Sequence, residues 1–125
     1  TTPDAPTLAQ KRARFSQHWS PRVVAEMNYY QFKLVKLQGE FVWHHHEAED
    51  ELFLILKGAL RIEFEDQSVT LQEGDCLVVP RGVRHRPVAE QECWIALFEP
   101  AATGHTGEVV TERTRSIAEQ TAHLR

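Results

Sequence analysis

The run Trp43-His44-His45-His46-Glu47-Ala48-Glu49-Asp50-Glu51, with Gly39 ahead of it and Gly58 behind, decides how this chain is read. Three imidazoles and an acidic run fall within nine positions. Mixed nitrogen and carboxylate donors suit a first-row transition metal, whereas calcium and magnesium prefer oxygen alone. In an extended strand alternate side chains share a face, so His44 and His46 point together and His45 points away. Their Cα atoms then stand about 6.6 Å apart, and both rings can converge on one ion at about 2.0–2.1 Å. Glu51 follows an excursion that lets the chain turn back and offer a carboxylate from a neighbouring strand. His85 opens a later strand and can close the site from a third direction. The prediction is a one-metal site.

Outward from this run, the chain reads as strands. Ala59 to Glu65 alternates Leu60, Ile62 and Phe64 with Arg61, Glu63 and Glu65, the pattern of a half-solvated antiparallel sheet. Further strands are expected at Val23–Ala25, Tyr29–Leu37, Phe41–His46, Leu52–Leu56, Val69–Leu71, Cys76–Val79, His85–Val88 and Cys93–Phe98. Turns fall at Met27-Asn28, Lys57-Gly58, Asp66-Gln67, Glu73-Gly74-Asp75 and Pro80-Arg81-Gly82. Short strands punctuated in this way predict an all-β sandwich or barrel over residues 21–102. Residues 1–20 are expected to form a tail and a short helix from Thr7 to about Trp19, with Pro21 just past its end. Residues 103–125 are polar, with a strand candidate at Glu108–Thr111 and a C-terminal helix.

The 125 residues suffice for one domain with its own core. A net charge of -4, with Lys and Arg scattered, argues against nucleic acid, which needs a concentrated basic footprint. No apolar run is long enough to span a bilayer, and the first residues lack the apolar segment expected of a signal peptide. Cys76 and Cys93 sit in apolar runs and read as buried free thiols of a cytoplasmic protein. Two stretches, Leu52–Leu56 and Trp94–Phe98, are apolar on both faces and need a second layer. The expectation is a homodimer using their outer face, with residues 1–30 as the alternative cover.

The spacing Gly39-x4-His44-x-His46-x4-Glu51-x6-Gly58 resembles the first motif of the cupin superfamily, with a lead one residue shorter than usual. Gly74-x5-Pro80-x-Gly82-x2-His85 resembles the second, with Ala89 where that motif ends in Asn. The resemblance covers residues 39 to 89. It implies a jelly-roll (double-stranded β-helix) barrel around a single metal, with His44, His46, Glu51 and His85 as ligands. The phrases Trp43-His44-His45-His46 and Val79-Pro80-Arg81-Gly82-Val83 look similar to small bacterial single-domain cupins described as mannose-6-phosphate-isomerase-like. That label speaks of descent rather than activity.

Other residues have plainer readings. Trp43, Arg84 and Arg86 fall on the face opposite the ligands and suit packing or surface charge. Glu47, Glu49 and Asp50 suit a solvated loop. Three imidazoles and one carboxylate leave two adjacent positions open on a six-coordinate ion. Such a site serves as a Lewis acid, chelates a substrate or acidifies a bound water; with iron it suits oxygen chemistry. The donor set leaves Fe, Mn, Ni, Zn and Cu open. Enzymatic turnover of a small polar metabolite (oxygenation, isomerisation, decarboxylation or lyase chemistry) stands against a non-catalytic module that binds or senses a small molecule or metal. The inward positions beside the site, Val42, Phe53 and Ile55, are apolar and carry no proton.

Overall fold

In the computed structural model, which describes residues 18–101, the alternating segments form seven antiparallel strands. They are β1 (Arg22–Met27), β2 (Tyr30–Glu40), β3 (Glu51–Lys57), β4 (Leu60–Phe64), β5 (Ser68–Leu71), β6 (Cys76–Val79) and β7 (His85–Pro100). Five of them lie in the order β1-β2-β7-β3-β6, while β4 pairs with β5 and with β7. The all-β barrel expected from the sequence is the fold. The greater part of the predicted N-terminal helix, and the predicted C-terminal strand and helix, lie outside the described residues. The described end of that helix is not helical: His18 bridges to Lys36, and Trp19 has a φ of 58°.

The two strands expected at His85–Val88 and Cys93–Phe98 are one. Its first half pairs with β4 (Phe64 opposite His85) and its second with β3 (Leu52 opposite Phe98). The long β2 runs beside both halves, from Tyr30 opposite Pro100 to Glu40 opposite Val88. Exposed Glu90, Gln91 and Glu92 read as a break; they are a bulge, unpaired between Ala89 opposite Gly39 and Cys93 opposite Leu37, with β2 paired on either side of it. Conversely, Phe41–His46 is not a regular strand. Its backbone is an extended arm, tied by Phe41 N–H to Pro87 O (3.0 Å) and by reciprocal bonds between His44 and His85.

Strand register decides what faces inward. Gln31, Lys33, Val35 and Leu37 of β2 stand opposite Glu99, Leu97, Ile95 and Cys93 of β7, and Glu51, Phe53 and Ile55 of β3 continue that face. With Leu60, Ile62, Leu71 and Val79 these side chains build the core. Each fully buried aliphatic contributes about 1.5–3 kcal/mol, and that burial closes the barrel. On the outer face one cross-strand row reads Phe32, Phe98, Leu52 and Val78, none of them buried. Tyr30 stacks on Phe98 at 5.2 Å between centroids. Since β1 sits beside β2 at the sheet edge, residues 22–27 do not cover that row. Both cysteines are free, and only Cys93 is buried; Cys76, opposite Leu54 on the terminal strand β6, is exposed. Among the described residues no helix is long and apolar enough to cross a membrane.

Candidate metal centre

Three backbone ties bring the two halves of the site together. His44 N–H donates to His85 O (3.0 Å) and His85 N–H to His44 O (2.9 Å), so the two rings stand 4.4 Å apart between centroids. Gly82 N–H donates to His46 O at 2.7 Å, fastening the Pro80–Val83 turn to the arm. That turn is closed by Val83 N–H to Pro80 O, and Gly82 sits in it at φ +77°, where a side chain would be strained. Asp50 accepts a hydrogen bond from Arg81 N–H at 2.8 Å, so this acid braces the turn.

His44, His46, Glu51 and His85 are all buried, His85 completely. Their donor atoms all lie within 4.8 Å of one another. His46 Nε2 and His85 Nε2 each stand 3.6 Å from a Glu51 oxygen. Two ligands of one ion, each about 2.1 Å from it, are separated by about 3.0–4.2 Å. His44 Nδ1 and His85 Nδ1 donate to the carbonyls of Val42 and Val83, both at 2.9 Å. A carbonyl only accepts, so the proton sits on Nδ1 and each Nε2 keeps its lone pair. His85 Nε2 and both nitrogens of His46 are buried with no hydrogen-bond partner. Such groups cost about 1–3 kcal/mol each, and an ion among them would relieve that cost. The donor set fits a divalent transition metal.

The neighbouring donors are turned elsewhere. His45 is partly exposed and bonds to Glu47. Trp43 lies beneath the Arg84 and Arg86 guanidiniums, 4.9 and 5.3 Å from their carbons, and Arg86 grips Glu63 at 2.6 Å. These residues face away from the four donors, as strand alternation predicts.

Comparison with known proteins agrees with this geometry. The cupin domain family matches residues 33–93. A cupin-2 domain containing protein from Shewanella frigidimarina is 55% identical, with a TM-score of 0.75 over 76% of this chain and 93% of that one. The chain belongs to the cupin family. Protein NMB1881 from Neisseria meningitidis is 35% identical, with a TM-score of 0.72 over 78% of this cupin and 99% of that chain. The uncharacterized protein YdbB of Bacillus subtilis is 38% identical over 80 residues, 63% of this cupin and 65% of YdbB. The cupin thus spans just under two thirds of that relative's length.

One part of the site is not in the pattern of motifs. Lys33 and Glu99, 0% and 3% exposed, form an ion pair of 2.7 Å on the inner face. Glu99 Oε2 meets no N–H or O–H donor. Its cross-strand neighbour on the inner face is Glu51, since Leu52 stands opposite Phe98. Burial, then the Glu51 charge, pushes the Glu99 carboxyl well above its ordinary range. Burial works the same way on Glu51, but the facing His46 and His85 rings and Glu99 hold it well below. The inner face is not wholly apolar beside the metal ligands, contrary to the expectation from Val42, Phe53 and Ile55. The available signal was that Gln31 and Lys33 share a strand face while Phe32 and Leu34 share the other.

A cavity of about 30 Å³ adjoins the donors, lined by His44 and Glu51 and by Trp19, Val35, Phe41 and Phe53, among others. It offers about the volume of one water molecule, and Lys33 and Glu99 do not line it. Trp19 in its lining is stacked on Phe41 at 4.7 Å, with its indole N–H donated to Gln38 O at 2.7 Å.

The burial of His44 has a measurable consequence. Burial, then the neighbouring His85, lowers its pKa from 6.5 to about 4. Below pH 6.5 the unfolded chain takes up a proton that the folded metal-free cupin refuses. The corresponding stability is complete above pH 6.5 and is lost as pH falls to about 4, a matter of about 3 kcal/mol. Melting temperatures of metal-free protein across that window should fall with pH, and His44→Gln should flatten the slope.

Proposed function

We propose that this cupin binds one divalent transition metal through His44, His46, Glu51 and His85 and uses it on a small polar metabolite in the cytoplasm. The observation that carries the reading is the set of buried imidazole nitrogens without partners around the Glu51 carboxylate. A bound ion there supplies a Lewis acid and an acidified water, suited to isomerase, lyase, decarboxylase or oxygenase chemistry. The protein's own contribution is orientation and dryness. The carbonyls of Val42 and Val83 fix two rings, and Val35, Phe41 and Phe53 keep bulk water from the donors. Elemental analysis of protein purified without a nickel column should find close to one first-row metal per chain. Protein that arrives metal-free and takes none up refutes the reading.

The size and lining of the cavity favour a second reading, a non-catalytic module that binds or senses a metal or a small ligand. Small-molecule sites usually span about 300–1,000 Å³, and beyond His44 and Glu51 the lining residues carry no titratable group. Metal-loaded protein that binds small hydroxy acids and returns them unchanged fits this second reading. For assembly we propose a homodimer, in which the outer row of Phe32, Phe98, Leu52 and Val78 meets its counterpart on a second chain.

A further inference from the structure

Two ligand heads, the His46 ring and the Glu51 carboxylate, carry no backbone tie. The three histidines hang from the pinned arm and from β7, and two of their rings are locked by carbonyls. A carboxylate on a strand end rotates about its own torsions unless something holds it. The inner-face register supplies the holder: Leu52 stands opposite Phe98, so Glu51 adjoins Glu99, and Glu99 is ion-paired at 2.7 Å to Lys33 on the far side. All three side chains are buried. Burying a charged lysine and a second acid inside a barrel of this size is costly unless each is matched. Neither group lines the cavity, so neither is placed to touch a substrate.

We propose that Glu99, anchored by Lys33, is a positioning residue that orients the Glu51 carboxylate toward the ion and thereby sets metal affinity. The pair does for the carboxylate ligand what the Val42 and Val83 carbonyls do for His44 and His85. This inference rests on the metal reading above. It implies a graded response. Glu99→Gln keeps the size and polarity of the head between Glu51 and Lys33, whereas Glu99→Ala and Lys33→Ala release the carboxylate.

The test is metal affinity by chelator competition, using zinc and cobalt, together with the absorption spectrum of the cobalt-loaded protein. Wild type should take up one ion per chain. Glu99→Ala and Lys33→Ala should each weaken binding by about 10- to 100-fold and shift the cobalt bands. Glu99→Gln should restore both affinity and spectrum. Should either alanine variant fail to fold by circular dichroism, the paired replacement Lys33→Met with Glu99→Leu removes the same contacts without leaving an unmatched charge. It should show the same weakening. Wild-type affinity and bands in the folded variants overturn the inference while leaving the metal site standing, as does a loss in Glu99→Gln equal to that in Glu99→Ala. A wild type that binds no metal overturns the metal reading itself.

Discussion

His46→Ala and His85→Ala are each expected to abolish tight metal binding, while His45→Ala leaves it unchanged. The loss should exceed about 100-fold, since removing even an outer partner of a metal ligand costs about 10- to 100-fold. Chelator competition on the three variants reads the difference directly. Strand alternation and burial both carry the argument. His46 and His85 aim Nε2 at the Glu51 oxygens from 3.6 Å, whereas His45 turns outward to Glu47. An apolar replacement of full size has the opposite effect without metal. Both nitrogens of His46 are buried and unsatisfied, so His46→Leu, which replaces them with apolar volume, should raise the melting temperature of metal-free protein. Equal loss of binding in all three alanine variants would overturn the assignment of faces.

Leu52→Arg is expected to convert a dimer into monomers. Leu52 sits at the centre of the cross-strand row, between Phe98 and Val78, and the exterior there is apolar where the interior holds Gln31, Lys33, Glu51 and Glu99. A sheet whose polar side chains face in and whose aromatic side chains face out is the inverse of a solvated wall, and it calls for a covering layer. A guanidinium in the middle of that layer would be desolvated without a partner, at a cost of several kcal/mol. Sedimentation should give wild type a mass twice the 14.4 kDa of one chain, and Leu52→Arg a mass of one. A wild type that sediments as a single chain at micromolar concentration contradicts the proposed dimer.

Where period-two alternation was clean, the strands were legible in the residues themselves. Leu60, Ile62 and Phe64 against Arg61 and Glu63 became β4, and the Gly-marked turns fell where positive φ was needed. The four donors came together as their spacing predicts, because His44 and His85 are neighbours across a single bridge. Two features escaped. The arm at Phe41–His46 carries strand-like residues, yet most of its tie to the barrel runs through backbone groups of Pro87 and His85, which side-chain patterns do not report. Lys33 and Glu99 look like ordinary surface charges in sequence. Their burial follows only from which face of β2 and β7 turns inward, and that depends on pairing between segments more than sixty residues apart.

The most direct test of the metal centre is an anomalous difference map from crystals of protein never exposed to a nickel column. The account predicts one peak per chain, within about 2.0–2.2 Å of Nε2 of His44, His46 and His85 and of a Glu51 oxygen. A map with no peak there after soaking in zinc or manganese, or a peak held instead by His45 and Glu47, would contradict it.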